Sequence, residues 1–329
     1  MRTLALLTLA ACVAFATGCK KQDETTATGP GPAGPARKAA KGGEGEAEGG
    51  RAFGVTFQTM NNPFFVDLDE GLRSVIEPKD KLITLDAQWD SLKQKNDISD
   101  LILKGCAGIF INPVNWEGIK GSLLEAQEKS IPVIIVDAPA KDADLALCTV
   151  ASDNVEAGRL AAQALVEHCR PARIVVLHYS VNKACIDRVA GFTEVIDQHP
   201  DMEIVDVQEG KGTSDEGRKV MRDLVARYPD INAAFPINDP SALGAISALD
   251  AAGRLGDVRV VSVDGSAEAI EAVKAGKLLS TSAQFPKEIG TTAAEALYKH
   301  LAGEEVDSDI KVRVELITAE NADEFLASE

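Results

Sequence analysis

From residue 51 onward, short apolar runs alternate with longer amphipathic stretches, which predicts repeated strand–helix units. Residues 133–136 are apolar throughout, as is typical of a parallel strand covered by helices on both faces. Helices are predicted where apolar residues recur at intervals of three and four, as Ile98, Leu101 and Ile102 do. The predicted strands are 53–57, 82–85, 108–111, 133–136, 149–152, 174–177, 204–207, 233–237, 258–263, 278–283 and 312–317.

Repeated strand–helix units over about 270 residues exceed one parallel sheet, so we predict an α/β fold of two Rossmann-like, doubly wound lobes. The length of 329 residues agrees with about two domains. In such sheets, ligands bind beyond the carboxyl ends of the strands. The residues at those ends therefore indicate the ligand.

The predicted strand ends carry amides, carboxylates and aromatic rings. Residues 58–65 follow the first strand, Asp137 follows the fourth, and Asn238, Asp264 and Gln284 stand at later ends. Carboxylates accept hydrogen bonds from hydroxyls, amides donate and accept them, and aromatic faces cover the C–H face of a sugar ring. Since these ends lack a glycine-rich phosphate loop, the pattern favours a neutral, polyhydroxylated ligand.

The charge balance excludes several functions. Lys and Arg number 34 against 51 Asp and Glu, a net charge of −17, so nucleic acid and anionic membrane surfaces are not expected partners.

With four His and no Cys-x-x-Cys pair, neither a metal site nor a cofactor is expected. The sequence also lacks G-x-S-x-G and H-E-x-x-H, so we predict a non-enzyme. A glycosidase using Asp137 and Asp264 is the enzymatic alternative.

Residues 1–18 have the layout of an export signal, with Arg2, an apolar run over 4–15 and then small residues. The string that ends at Cys19, Ala-Thr-Gly-Cys, resembles the lipobox of bacterial lipoproteins. This resemblance implies cleavage before Cys19, acylation of its thiol, and anchoring to a bacterial membrane on the periplasmic side.

Two alternatives to this anchor remain open. Cys12 ends a better lipobox string in a worse place, because cleavage there would leave a very short apolar run, and plain secretion needs no acylated cysteine. Residues 19–50 are almost free of large apolar side chains, a composition that predicts a disordered tether.

The exported part retains Cys106, Cys148, Cys169 and Cys185. An oxidising compartment permits a disulfide. Cys148 opens a predicted strand and Cys169 closes the following helix, so antiparallel packing of the two would bring the cysteines within bridging distance. We predict this pairing, with four buried free thiols as the alternative.

A series of dispersed segments resembles the ribose-type periplasmic sugar-binding proteins, in the order and spacing of that family. They are residues 60–65, 111–113, 132–137, 151–154, 238–239, 242–245, 263–265 and 283–284. The resemblance implies the type I periplasmic binding protein fold, whose two lobes are joined by three crossings. Lobe one would then comprise 51–153 and 285–311, and lobe two 154–284 and 312–329.

The resemblance also implies the ligand contacts of lobe one. Asn62 would bind a sugar hydroxyl, and Phe64 and Phe65 would sandwich the ring. Asp137 would accept hydrogen bonds from hydroxyls. A core position is the alternative for the two phenylalanines.

On lobe two, Arg188 resembles the arginine of the family and would donate to hydroxyl and ring oxygens. Asn238, Asp264 and Gln284 would complete the cage. For Asp264 the alternative is a turn residue before Gly265. For Arg188 it is a solvated surface charge, as for most arginines on helices.

Three positions depart from the ribose-type pattern. Ala138 replaces an arginine, Gln58 replaces a serine, and Gly212 stands near the place of an aromatic residue, so the cavity is predicted to be roomier and to lack one cation. Gln58, Trp89 and Trp116 are therefore further candidates for ligand contact, with rim or core positions as the alternative for the tryptophans. The formal site charge of about −1 suits a neutral or amino-bearing ligand.

The predicted function is capture of a monosaccharide or sugar-like polyol and its delivery to an ABC permease. Energy would come from a separate ATPase subunit, because the chain has no G-x-x-x-x-G-K-[ST] loop. The alternative is a receptor that presents a sugar or autoinducer to a sensor kinase or chemoreceptor. A lactose-repressor-type regulator would need an N-terminal helix-turn-helix where this chain has an export signal. A monomer is expected.

Overall fold

The computed structural model describes residues 50–328. The predicted export signal and nearly all of the predicted tether, including Cys12 and Cys19, lie outside these residues. Within the described span, no helix combines the length and apolar character needed to cross a membrane.

The strands are β1 (Ala52–Phe57), β2 (Lys81–Asp86), β3 (Gly108–Ile111), β4 (Val133–Val136), β5 (Cys148–Ser152), β6 (Ala172–His178), β7 (Met202–Glu209), β8 (Ala233–Pro236), β9 (Arg259–Asp264), β10 (Ser280–Ala283), β11 (Asp309–Val312) and β12 (Glu315–Ile317). The helices are α1 (Pro63–Val75), α2 (Ser91–Leu103), α3 (Lys120–Glu128), α4 (Asn154–His168), α5 (Lys183–Ile196), α6 (Ser214–Arg227), α7 (Asp239–Ala251), α8 (Ala267–Lys274), α9 (Pro286–Leu301) and α10 (Ala322–Ser328).

The strands form two six-stranded sheets. Their orders are β11-β5-β4-β3-β1-β2 and β12-β10-β9-β8-β6-β7. Every strand pairing in residues 50–328 is parallel except that of β10 with β12. We call the first sheet with its helices lobe one and the second lobe two. The predicted α/β fold of two doubly wound lobes is confirmed.

The strand predicted over residues 312–317 is wrong, because two short strands occupy this region. β11 pairs with β5 in lobe one, and β12 pairs with β10 in lobe two. The chain also changes sheet between β5 and α4, and between β10 and α9. The residues between β11 and β12 therefore make the third crossing.

Closely packed helix pairs support the sheets, and α4 with α5 bears directly on the site. A Cβ atom added to Gly158 would lie 2.0 Å from the carbonyl oxygen of Arg188, and one added to Gly191 would lie 1.9 Å from that of Val155. Glycine at both positions lets the two backbones meet. The approach fixes the height of Arg188 above the sheet.

Each lobe has its own apolar core. In lobe one, Phe53, Phe57 and Phe110 are fully buried against α1 and α9. In lobe two, the rings of Phe192 and Phe235 stack with centroids 4.2 Å apart. These cores hold the carboxyl ends of the strands in fixed positions.

The predicted bridge between Cys148 and Cys169 is wrong, since all four cysteines of residues 50–328 are free thiols. Cys148 packs in the core of lobe one, whereas Cys169 packs in lobe two and its Sγ lies 3.4 Å from the carbonyl oxygen of Asn232. The prediction assumed that α4 returns along the sheet of β5. Instead, α4 crosses to the other lobe.

Candidate ligand-binding site

A small cavity of about 40 Å³ lies between the lobes, at the carboxyl ends of their strands. The principal candidates predicted from the sequence all line it: Asn62, Phe64, Phe65, Asp137, Arg188, Asn238, Asp264 and Gln284. Gln58 and Trp89 line it as well, but Trp116 does not.

The start of α1 brings Asn62 and two phenylalanines to the cavity. Asn62 Oδ1 caps the helix by accepting a hydrogen bond from the Phe64 N–H at 3.1 Å. The rings of Phe64 and Phe65 meet edge to face, with centroids 5.4 Å apart. A sandwiched sugar would need parallel rings roughly 7 to 8 Å apart, since carbon contacts are 3.5–4.0 Å.

The predicted sandwich between Phe64 and Phe65 is therefore wrong. Phe65 is buried and tilts against Phe57 in the core, whereas Phe64 is only half-buried. Phe64 is thus the ring with a face available to a ligand. Phe65 serves mainly to hold it.

Asp137 follows β4 in a left-handed conformation, with φ of +63°. Its Oδ2 accepts a hydrogen bond from Asn112 Nδ2 at 2.9 Å. Asn112 Oδ1 in turn accepts from the Gln58 N–H at 3.1 Å. One buried asparagine thus positions two of the candidate ligand residues, Gln58 and Asp137.

Arg188 is buried, with 4% of its surface exposed, so the alternative of a solvated surface charge is wrong. Its Nε donates to Asn154 Oδ1 at 2.8 Å. Its Nη1 donates to the carbonyl oxygen of Ile237 at 2.9 Å and lies 3.3 Å from Asp264 Oδ1. The guanidinium is fixed before any ligand arrives.

Asp264 ends β9 with φ of +141°, and Gly265 follows it with φ of +78°. A Cβ atom on Gly265 would lie 2.5 Å from the Cβ of Ala283, so this turn needs glycine. Gln284 Nε2 donates to Asp264 Oδ1 at 2.8 Å, which joins Asp264 to the crossing that follows β10.

Behind the site, Asp239 is fully buried and holds the same turn. It accepts hydrogen bonds from the Ser262 hydroxyl, from Thr281 Oγ1 at 2.8 Å and from the Ser266 N–H at 2.7 Å. Thr281 Oγ1 accepts from the Gly265 N–H at 3.1 Å. The position of Asp264 thus depends on the polar interior of lobe two.

The two site carboxyls are hard to ionise. Burial raises the pKa of Asp137 to about 6, and the nearby Arg188 charge opposes this rise. Burial likewise raises the pKa of Asp264 to about 7; Arg188 opposes the rise, and the charges of Asp239 and Asp137 add to it. One guanidinium does not compensate for burying both carboxylates.

Two buried amide atoms in the cavity wall lack hydrogen-bond partners. They are Nε2 of Gln58 and Oε1 of Gln284, in residues that are 1% and 4% exposed. Both side chains line the cavity, one from each side of the interface between the lobes. A ligand that offers both a donor and an acceptor, as a hydroxyl does, would satisfy them.

Sequence analysis missed a group of residues that follow β6, in the loop before α5 and in the first turn of that helix. Tyr179, Asn182 and Cys185 line the cavity, and the Tyr179 ring contacts Trp89 of lobe one with centroids 6.0 Å apart. Burial raises the pKa of the Cys185 thiol to about 12, so it stays neutral. Their position beyond a predicted strand end was the available signal.

Trp116, a predicted ligand candidate, lies at another contact between the lobes. The backbone N–H of Trp116 donates to the carbonyl oxygen of Val181 at 3.1 Å, and Lys141 Nζ lies 5.8 Å from the Trp116 ring centroid. Gly212 does line the cavity, and its carbonyl oxygen accepts from Asn238 Nδ2 at 2.9 Å. Among residues 50–328, no cluster of His, Cys, Asp and Glu could hold a metal ion.

Two lobes that enclose a polar cavity at their strand ends define a small-molecule binding protein of the two-lobed, hinged class. The chain belongs to the periplasmic binding protein domain family, whose model matches residues 53–305.

Individual relatives agree with this assignment. The ribose import binding protein RbsB of Bacillus subtilis (strain 168) is 34% identical over 268 residues, which cover 80% of this chain and 86% of that protein. A solute-binding protein of an ABC transporter from Bacillus halodurans C-125, solved with bound myo-inositol, matches with a TM-score of 0.81 and 28% identity over 87% of this chain and 100% of that one. The arabinose-transporter binding protein from Shewanella sp. ANA-3, solved with L-arabinofuranose, has a TM-score of 0.79 and 30% identity over 84% and 95%.

Proposed function

We propose that this protein captures a monosaccharide or sugar-like polyol between its lobes and delivers it to an ABC importer. The observation that carries the proposal is the pair of unpartnered amide atoms, Gln58 Nε2 and Gln284 Oε1, buried in one cavity. Leaving such atoms unpaired costs about 1–3 kcal/mol each, a cost that a bound polyol removes.

The remaining side chains fit the same ligand chemistry. Asp137 and Asp264 accept hydrogen bonds from hydroxyls, and Arg188 donates to ligand oxygens. The exposed face of Phe64 covers the apolar side of a ring. Relatives named for ribose import and structures with bound inositol and arabinofuranose support a sugar or cyclic polyol as the ligand.

Closure of the lobes around the ligand would be the signal to the importer. Because the ligand contacts both lobes only when they are closed, it stabilises the closed form over the open one. The permease would recognise the closed form, and its ATPase subunit would supply the energy. The protein would act as a monomer.

The proposal extends to the place of the protein in the cell. Export through residues 1–18, acylation of Cys19 and a tether over 19–50 would hold the lobes near a membrane on the periplasmic side. This part rests on the order of residues at the start of the sequence.

A thermal-shift screen, followed by calorimetry, tests the function. The chain from residue 19 onward, with Cys19→Ser, would be screened against D-ribose, D-allose, L-arabinose, D-xylose, xylitol, D-galactose and myo-inositol. A ligand at a hundredfold excess over its Kd stabilises the native state by about 2.7 kcal/mol, so a true ligand raises Tm by several degrees.

The variant Asp264→Asn should weaken binding of that ligand about 10- to 100-fold, since hydrogen bonds to charged groups contribute about 1.5–3 kcal/mol. Asp250→Asn, at an exposed position of α7, is the matched control and should bind normally. A cooperatively melting protein with no shift across the panel would reject the proposed function. Unchanged affinity in Asp264→Asn would reject the site.

A further inference from the structure

A second, larger space adjoins the cavity. It measures about 900 Å³, against about 40 Å³ for the cavity. The two spaces share the lining residues Asn62, Phe64, Trp89, Gly212, Asp264 and Gln284. We call this space the outer cleft, and the shared residues make it continuous with the proposed sugar site.

The outer cleft has an apolar wall built from both lobes. Lobe one contributes Pro63 and Pro286, and lobe two contributes Pro240, Leu243 and Leu326. Leu243 and Leu326 are only partly buried, so part of each side chain contacts solvent in the cleft. Proline rings and aliphatic side chains present an apolar surface, which suits an apolar group better than a second polyol.

The charged residues that line the outer cleft are all acidic: Asp67, Asp215, Asp264 and Glu268. Asp67 lies 3.6 Å from Lys287 Nζ and Asp215 lies 3.1 Å from Arg218 Nη2, but neither cation belongs to the lining. An anionic group would enter a negative field there.

Three helices of lobe two begin at the outer cleft, yet they do not form anion sites. The first turns of α6, α7 and α8 are capped by Thr213, Asn238 and Ser266, each of which accepts a hydrogen bond from a backbone N–H. Each of these helices also carries an acidic residue in its first turn. The helix starts therefore add no preference for phosphate or carboxylate ligands.

The outer cleft does not result from separated lobes. The lobes already touch where Trp89 meets Tyr179, with ring centroids 6.0 Å apart. They also touch where the backbone N–H of Trp116 donates to the carbonyl oxygen of Val181 at 3.1 Å. The space persists alongside these contacts.

We propose that the outer cleft is a second subsite, which binds an uncharged aromatic substituent carried by the sugar. The ligands would then include aryl glycosides, with the sugar in the cavity and the aglycone against Leu243 and Leu326. This inference rests on the proposed function, because it places the sugar ring in the adjoining cavity.

Calorimetry on matched glycosides tests the subsite. The probes are the methyl, phenyl and 4-carboxyphenyl glycosides, in both anomers, of D-ribofuranose, L-arabinofuranose, D-galactopyranose and D-xylopyranose, together with the free sugars. We expect the phenyl glycoside to bind at least tenfold tighter than the methyl glycoside in at least one series. The 4-carboxyphenyl member of that series should bind at least tenfold more weakly than the phenyl member.

Two variants locate the effect. Leu243→Ser and, independently, Leu326→Ser should each lower the phenyl-to-methyl affinity ratio at least threefold. Leu103→Ser, at an 81% exposed position on α2 outside the cleft, is the control and should leave the ratio unchanged. Using two variants on different helices keeps the test decisive if one of them fails to fold.

The outcomes separate the subsite from the function. If free sugars or methyl glycosides bind but no phenyl glycoside binds more tightly, the subsite is rejected and the proposed function stands. A phenyl preference that survives both leucine variants also rejects it. If neither free sugars nor glycosides bind, both proposals are rejected.

Discussion

At the scale of single residues, the site combines two buried carboxyls with one buried guanidinium. Asp137 and Asp264 have pKa values raised to about 6 and about 7, mainly by burial. Arg188 is shared between Asn154, a backbone carbonyl and Asp264. Burying both carboxyls beside one guanidinium therefore destabilises the folded protein wherever the two carboxyls are ionised.

The stability of the ligand-free protein should consequently fall as the pH rises. Asp137 has a pKa of about 6 in the folded protein against an ordinary value of 3.8, so the native state keeps a proton that the unfolded chain releases over this range. Because the unfolded state binds fewer protons, the free energy of unfolding decreases with rising pH until the folded group has also ionised. Asp137→Asn should remove this loss, about 3 kcal/mol near pH 8 and about half as much near pH 5.

Calorimetric Tm values of the ligand-free proteins at the two pH values test this prediction. Asparagine suits the position because it tolerates the left-handed φ of +63°. Asp250→Asn, which removes one exposed charge, controls for the change in net charge. An equal gain in Tm at both pH values would show that packing, and not ionisation, is responsible.

Much of the site could be predicted from single residues, because parallel sheets bring strand ends together. Asp137, Asn238 and Gln284 follow predicted strands, and that rule alone leads to the cavity. The relation between the rings of Phe64 and Phe65 could not be predicted, since it depends on how Phe65 packs into the core. Trp116 lies outside the cavity, in agreement with the alternative of a rim or core position, because a strand end does not determine which way its loop turns.

At the scale of secondary structure elements, three helix pairs are joined by reciprocal glycine contacts. Gly158 and Gly191 join α4 to α5, and Gly217 with Gly244 does the same for α6 and α7. In α1 and α9, a Cβ on Gly71 would lie 2.2 Å from the carbonyl oxygen of Lys287. Helices that begin at the cleft are thus held by backbone contact rather than by large side chains.

Gly158→Ala should disturb the site from a distance. The added methyl would lie 2.0 Å from the carbonyl oxygen of Arg188, so α4 and α5 must separate. We expect a loss of about 1–3 kcal/mol in stability, as for overpacked cores, and at least tenfold weaker ligand binding because Arg188 moves. Chemical denaturation and calorimetry measure the two effects.

Gly121→Ala is the matched control on α3, where an added Cβ has no neighbour within 4 Å. It should leave binding unchanged and stabilise the protein by up to about 1 kcal/mol. A Gly158→Ala protein with the stability and the ligand affinity of the wild type would contradict the close approach of α4 and α5.

Element boundaries were predictable from hydrophobic periodicity wherever the chain stays in one sheet. β3 and β4 have the predicted bounds, because both strands are buried on both faces. Where the chain changes sheet, periodicity gives no warning, since β11 and β12 form one continuous apolar alternation in the sequence. The pairing of Cys148 with Cys169 failed for the same reason at the crossing before α4.

At the scale of the whole molecule, direct contacts between the two lobes include a backbone hydrogen bond at Trp116. The Trp116 N–H donates across the interface to Val181 at 3.1 Å. The backbone N–H of Trp89, by contrast, donates to the carbonyl oxygen of Gln58 at 2.7 Å within lobe one. Hydrogen exchange of the Trp116 backbone amide should therefore reflect closure of the lobes. Exchange of the Trp89 backbone amide should reflect the integrity of lobe one.

Hydrogen exchange of these amides should follow closure. Adding a saturating concentration of a sugar identified in the screen should slow exchange at Trp116 several-fold, because the ligand stabilises the closed form. Exchange at Trp89 should change much less. Mass spectrometry or NMR measures both amides in one sample, and equal slowing at the two positions would contradict a closure specific to the Trp116 contact.

The crossing between β11 and β12 has a consequence for the order in which the protein folds. The sheet that contains β1 is finished by β11, which pairs with β5 near the end of the chain. During synthesis, the ribosome has made almost the whole chain before the amino-terminal half can complete its own sheet. Neither half can therefore fold fully while the other is still being made, and the nascent chain stays incompletely folded until its last segments emerge.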